Sequence, residues 1–277
     1  VQLFGAEVTI PGMGMGVVGA AIGTVSAELV AASITMYILC FRSKELSLRI
    51  DTGRFLPTWG VVKRALHISL PMGLQQTIMC SAYVMTTIII APLGTFAIAA
   101  NSFGVIVESL CYMPGYGIAD AATTLVGQSI GAGRHELMKR FAWLSVGLGV
   151  TVMAVMGVVM YVGAPVAMAM MTPAEEVRRL GVEVLRIEAF AEPMFAAAIV
   201  SYGVFVGAAK TLVPSIMNLV SIWGVRISLA ALLAPSMGLR GVWIAMCIEL
   251  CFRGFIFLVK LKFWNIQTSC NHYGKDQ

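Results

Sequence analysis

Seven long apolar stretches, at 17–41, 66–91, 95–128, 141–171, 186–207, 211–233 and 239–264, alternate with short polar connections along the chain. Each is longer than the roughly 20 residues that a helix needs to cross a bilayer. None shows the short apolar and polar alternation of a membrane barrel strand, so helices have to satisfy the backbone hydrogen bonds. The polar breaks carry their own signals. Arg42, Lys44, Arg49, Arg54, Lys63 and Arg64 follow the first span, and Arg134, His135, Lys139 and Arg140 form a short basic loop after the third. TPAEEVRR at 172–179 starts a helix, with Pro at its first turn and acids near its N-terminus.

The fifth stretch, RIEAFAEPMFAAAIVSYGVFVG at 186–207, places two carboxylates in an otherwise apolar segment. Read as one continuous helix, it puts Glu188 and Glu192, four residues apart, on one face. Pro193 has no amide hydrogen, so the Ala189 carbonyl would lack its helical partner beside the Glu192 carboxylate. An acid within a bilayer costs several kcal/mol, and such residues characteristically face a bundle interior or a watery cavity. Glu188 has a structural alternative, pairing with Arg186 or Arg226.

Composition turns the pattern into a class. Hydrophobic residues make up 58% of the 277 and charged residues 12%, and the mean hydropathy is +0.86; these values describe an all-α integral membrane protein, a multi-pass helical bundle in a lipid bilayer. The net charge of +5 is spread over short loops rather than gathered on one face, which argues against a nucleic-acid partner. Its placement instead encodes orientation. Connections after the odd-numbered spans hold nearly all the Lys and Arg, whereas the opposite side has only Arg178, Arg179 and Arg240. The C-terminus is therefore expected in the cytoplasm and residue 1 outside. No basic n-region with a small-residue cleavage site precedes the first span, which reads as a span rather than a cleaved signal. Cys40, Cys80, Cys111, Cys247 and Cys251 lie in apolar spans as small hydrophobes, and no metal site is expected.

An internal repeat accounts for the odd number of spans. Met15, Gly16, Gly19 and Ile22 recur as Met237, Gly238, Gly241 and Ile244 at a constant offset of 222 residues, each set opening a span from the outer side. If both open the last helix of a repeat unit, the chain holds the final helix of one unit and a complete six-helix second unit. The parent protein would then have about twice 222 residues.

Residues 91–134, APLGTFAIAANSFGVIVESLCYMPGYGIADAATTLVGQSIGAGR, strongly resemble the multidrug and toxic compound extrusion (MATE) family. LPMGLQQ at 70–76 and VGAAKTLVP at 206–214 extend the resemblance, the latter where the family usually carries an Arg-Gly-x-Gly-Asp-Thr type turn. The resemblance implies two six-helix lobes, exchange of sodium ions or protons for organic cations, and a place in the plasma (inner) membrane. It divides the chain into the last helix of the N-terminal lobe (1–41), a cytoplasmic inter-lobe linker (42–65), a MATE-like six-helix C-terminal lobe (66–264) and a cytoplasmic tail (265–277). The missing N-terminal lobe is the implied partner. One branch of the family uses a Glu and an Asp in this lobe; their positions here are Met79 and, approximately, Phe195.

The candidate cation- and substrate-binding residues are Glu192, Glu188, Glu108, Asn101, Tyr112, Arg226 and Gln75. Asn101, Glu108 and Tyr112 form a polar stripe, at spacings of seven and four, on a helix that Pro114 is expected to bend. Arg226 needs an acidic partner, for which Glu108, Glu188 and Glu192 compete, while Glu249 and Arg253 are expected to pair on one helix face. Counting Glu28 and Asp120, six acids in the spans face three bases. The expected function is a sodium- or proton-coupled antiporter that exports organic cations by alternating access, with no cofactor beyond the coupling ion. A flippase for lipid or isoprenoid-linked substrates is the alternative, and it predicts a positively lined cavity. No nucleophile or paired-acid motif of an enzyme is present.

Overall fold

The computed structural model describes residues 2–3, 6–7, 16–42 and 58–264. Residues 43–57 of the expected linker, with Lys44, Arg49 and Arg54, and the expected tail lie outside the described residues. The chain divides into two compact units, 1–63 and 64–277. The first contains a two-residue antiparallel pairing, β1 (Gln2–Leu3) with β2 (Ala6–Glu7), in which Gln2 stands opposite Glu7. It also holds α1 (Gly16–Tyr37), which widens into a π turn over Ile38–Arg42. Val18, Val25, Leu29 and Ile34 are exposed along α1 and Glu28 is exposed with them.

The second unit is helical. Following α2 (Trp59–Ile90), which a short 3₁₀ turn at Ala91–Leu93 closes, come α3 (Thr95–Gly131), α4 (His135–Met171), α5 (Glu175–Glu188) and α6 (Glu192–Gly207). One further span consists of α7 (Leu212–Leu219), a π-helical segment over Val220–Ile227 and α8 (Ser228–Met237); α9 (Leu239–Lys262) completes the unit. Among the described residues, five helices are long and apolar enough to cross a membrane, or six where α5 and α6, bent by 60°, count as one broken span. The protein is thus an all-α, multi-pass integral membrane protein.

Two boundaries differ from expectation. His135, Lys139 and Arg140 are not in a loop but in the opening turns of α4, where Glu136 supplies the acid that suits a helix N-terminus. Pro114 lies inside α3, which runs from Thr95 through Gly131, past the expected end near Gln128.

The packing centre is α6. Ala196, Ala197, Ala198, Val200 and Val204 are buried, and the helix contacts α3, α4 and α9. Small residues allow the close approach to α3 that polar backbone in an apolar medium rewards. Thr123 Oγ1 of α3 donates to the Gly203 carbonyl of α6 at 2.8 Å, and a side chain at Gly203 or Gly207 would strike the α3 backbone at Ala119 or Thr123.

Two helices end in the same hydrogen-bonded cap with different residues at its left-handed position. At the end of α3, Gly133 (φ 68°) occupies that position, its N–H donating to the Ile130 carbonyl and that of Arg134 to Ser129. At the end of α6, the N–H groups of Ala209 and Lys210 donate in the same way to Val206 and Phe205, but the left-handed residue is Ala209 (φ 55°). A Cβ there crowds the following carbonyl. Ala209→Gly is therefore expected to stabilise the protein by about 1 kcal/mol, which raises the thermal midpoint in detergent by about 2–4 °C. Gly133→Ala should lower it by a similar amount.

Candidate functional site

The helix expected over 186–207 is two helices. α5 ends at Glu188, α6 begins at Glu192, and the chain bends by 60° between them. The proline ring clashes with the turn before it in a helix interior, whereas in a first turn its missing N–H costs nothing. Pro193 takes the second course and lies in the first turn of α6. The turn is held by the Ala191 N–H on the Glu188 carbonyl and the Phe195 N–H on the Ala191 carbonyl, both at 2.8 Å. Gly157 of α4 makes room for it, since a Cβ there would lie 2.7 Å from the Ala189 oxygen and 3.3 Å from Glu192 Cβ.

Glu188 and Glu192 consequently do not stack along one helix face. Glu188 closes α5, and Glu192 opens α6, where the helix dipole favours negative charge. Each residue is only 1% exposed. All four carboxylate oxygens are buried without a hydrogen-bond partner among the described residues. Glu188, Glu192 and Glu108 are close enough to interact electrostatically, and Arg226 is close enough to interact with Glu108 and Glu188. Among the described residues, no group of three or more His, Cys, Asp and Glu is arranged to hold a metal ion.

A cavity of about 220 Å³ lies between α2, α3, α6, the π segment and α9. Asn101, Glu108 and Tyr112 line it from α3 and Arg226 from the π segment, so four of the seven expected residues share one space. Met79 and Phe195, at the positions of the family's acidic pair, line it too. Trp243 Nε1 donates to Asn101 Oδ1 at 3.1 Å. Tyr112 meets Phe195 edge-on with ring centres 5.7 Å apart, and Tyr116 at 5.6 Å. Glu188 and Glu192 do not line the cavity, and Gln75, also outside it, has its side-chain oxygen buried without a hydrogen-bond partner.

Arg226 departs from expectation. Among the described residues no carboxylate lies within ion-pair distance of it. Its guanidinium instead contacts the Met246 sulfur and lies 5.9 Å from the centre of the Tyr83 ring. The cavity wall thus carries one acid, Glu108, and one base, Arg226, rather than the acidic surplus of the spans.

The expected Glu249 and Arg253 pair is present, both residues buried, with Arg253 Nε 3.1 Å from Glu249 Oε1. Ser221 Oγ of the π segment donates to the same oxygen at 2.6 Å. On its other side the Arg253 guanidinium lies 5.3 Å from the centre of the Phe195 ring, behind the cavity wall. Sequence reasoning missed Tyr83, Trp243 and Met246. Trp243 and Met246 are three apart and lie on one face of α9, which was a usable signal.

Comparison with known proteins places this geometry. The MatE family model matches residues 71–232. The probable multidrug resistance protein NorM of Thermotoga maritima is 28% identical over 250 residues, covering 88% of this chain and 53% of that protein. Its namesake in Xylella fastidiosa (strain Temecula1) is 29% identical over 238 residues, covering 85% of this chain and 50% of the relative. The chain therefore spans about half the length of the curated relatives it matches. Among solved structures, the outward-facing conformation of a multidrug resistance MATE family transporter of the MOP superfamily superposes with a TM-score of 0.80 at 20% identity, covering 90% of this chain and 56% of that one. A MOP superfamily transporter from Pyrococcus furiosus, described as having a binding pocket of reverse polarity that suggests a different function, gives a TM-score of 0.79 at 20% identity with the same coverage.

Proposed function

The chain belongs to the MatE family, and from that premise we propose that it supplies the C-terminal lobe, with the last helix of the N-terminal lobe, of a secondary antiporter. Sodium ions or protons moving in would drive organic cations out across the plasma membrane, with the C-terminus cytoplasmic. The observation that carries the reading is the buried pair Glu188 and Glu192, whose four carboxylate oxygens have no hydrogen-bond partner among the described residues. Burial in low dielectric disfavours a bare carboxylate, so such a pair favours uptake of a proton or a small cation. The multidrug resistance relatives support a drug-like cargo.

The cavity gives this cargo a chemistry. Tyr83, Tyr112, Tyr116, Phe195 and Trp243 offer aromatic faces and edges, and Glu108 a single negative charge, a set suited to a flat aromatic cation. Glu108 interacts with both the cavity and the buried pair, so ion and cargo compete through it. Rocking of two lobes about the site then exposes it alternately to each side. The test uses the full-length protein in proteoliposomes, with sodium and proton gradients imposed separately and efflux of a fluorescent organic cation followed. One gradient is expected to drive efflux, and Glu108→Gln to raise the KM for the cation about tenfold. No efflux under either gradient overturns the reading.

A second reading rests on Arg226, which lines the cavity without a carboxylate in ion-pair contact among the described residues. A flippase for lipid or isoprenoid-linked phosphate would use that guanidinium. Gradient-independent movement of a fluorescent phospholipid, lost in Arg226→Ala, would favour it.

A further inference from the structure

A second concavity, of about 360 Å³, opens between α4, α5 and α9 on residues distinct from those of the cavity, among them Ile187, Ile244 and Ile248. It is apolar except at Arg186, which is exposed and whose guanidinium lies 5.2 Å from the centre of the Tyr161 ring. Phe190 packs edge-on against the same ring at 5.8 Å.

The charges around this groove leave Arg186 as its unmatched group. α5 is amphipathic, burying Val177, Gly181, Val184 and Leu185 and turning Arg179 and Arg186 outward. Arg179 and Arg240 share Glu183, at 3.9 Å and 2.5 Å. No carboxylate lies within ion-pair distance of Arg186 among the described residues. The aromatic face of Tyr161 fixes the guanidinium in place without neutralising it. A held cation beside an apolar groove, on the outside of a membrane-spanning bundle, is complementary to an anionic amphiphile: a phosphate for the guanidinium and a hydrocarbon chain for the groove.

We propose that this groove is a binding site for one anionic phospholipid, with its phosphate on Arg186 and an acyl chain along Ile187, Ile244 and Ile248. The site is separate from the transport cavity and does not depend on what that cavity carries.

Native mass spectrometry of the purified full-length protein, equilibrated with equal phosphatidylglycerol and phosphatidylcholine, tests the proposal. The expected result is one retained phosphatidylglycerol in preference to phosphatidylcholine. Arg186→Ala should lose that preference by about fivefold, the loss expected for one basic residue near a lipid surface, while Arg186→Lys keeps most of it. Ile248→Trp, which fills the groove and leaves the charge, should lose the retained lipid, and Arg179→Ala should not. Equal retention of the two lipids by the unmodified protein overturns the proposal, as does unchanged phosphatidylglycerol retention in both Arg186→Ala and Ile248→Trp.

Discussion

Replacing Glu192 with glutamine in the full-length protein is expected to reduce gradient-driven efflux at least tenfold, roughly the rate equivalent of 1.4 kcal/mol, while leaving the protein as stable as before or more so. Glutamine keeps the shape of the side chain but neither takes up a proton nor pairs with a cation. Glu192 sits 1% exposed at the start of α6 with no hydrogen-bond partner among the described residues, so no hydrogen bond is lost with its charge. Removing an uncompensated buried acid relieves a cost that, in membranes, reaches several kcal/mol. Function and stability should therefore move in opposite directions, which distinguishes a coupling role from misfolding. The measurement pairs the efflux time course with a thermal melt of the same preparation. Unchanged efflux in Glu192→Gln and Glu188→Gln alike would remove the buried pair from the mechanism.

The opposite sign is expected at Arg253. Its partner Glu249 is wholly buried and accepts a hydrogen bond from Ser221. Arg253→Met leaves that carboxylate without its cation and should destabilise the protein by about 3–5 kcal/mol, the cost of breaking a buried pair on one side. Replacing both residues, Arg253→Met together with Glu249→Gln, should recover most of the loss, because two neutral side chains do not need each other. Chemical unfolding in detergent, carried through the full double-mutant cycle, measures the coupling. Cargo affinity should fall in the double variant even where stability returns, since the Arg253 guanidinium backs the Phe195 ring of the cavity wall. Single and double variants of equal stability would reduce the pair to a bystander.

What the sequence made legible follows from which forces act within one element. Crossing a bilayer demands a long apolar run, and the helical course of the spans could be read directly. The stripe of Asn101, Glu108 and Tyr112 was readable for the same reason, as all three share one face of α3, and the structure sets all three on one cavity. The break at Ala189–Ala191 was not, because apolar residues continue on both sides and Pro193 fits two readings: a kink within one helix or the first turn of another. Which one holds is decided by α4, whose Gly157 leaves space for the turn. Tyr83 and Trp243 escaped for a related reason. Their role arises because α2 and α9 line one cavity, which the sequence records only in the three-residue spacing of Trp243 and Met246 on α9 and nowhere on α2.

The π-helical segment Val220–Ile227 makes cavity polarity a matter of helical winding as well as residue identity. Its wider turns hold a surplus residue compared with an α-helix of the same rise. Arg226 falls inside this segment, and Ser221, at its other end, is tied to Glu249. Wound as plain α-helix, the same residues would turn everything beyond them by about 100°. Arg226 would then leave the wall and an apolar neighbour would take its place. The charge that a ligand meets within this fold thus depends on how one segment is wound, with no substitution at any residue that touches the ligand.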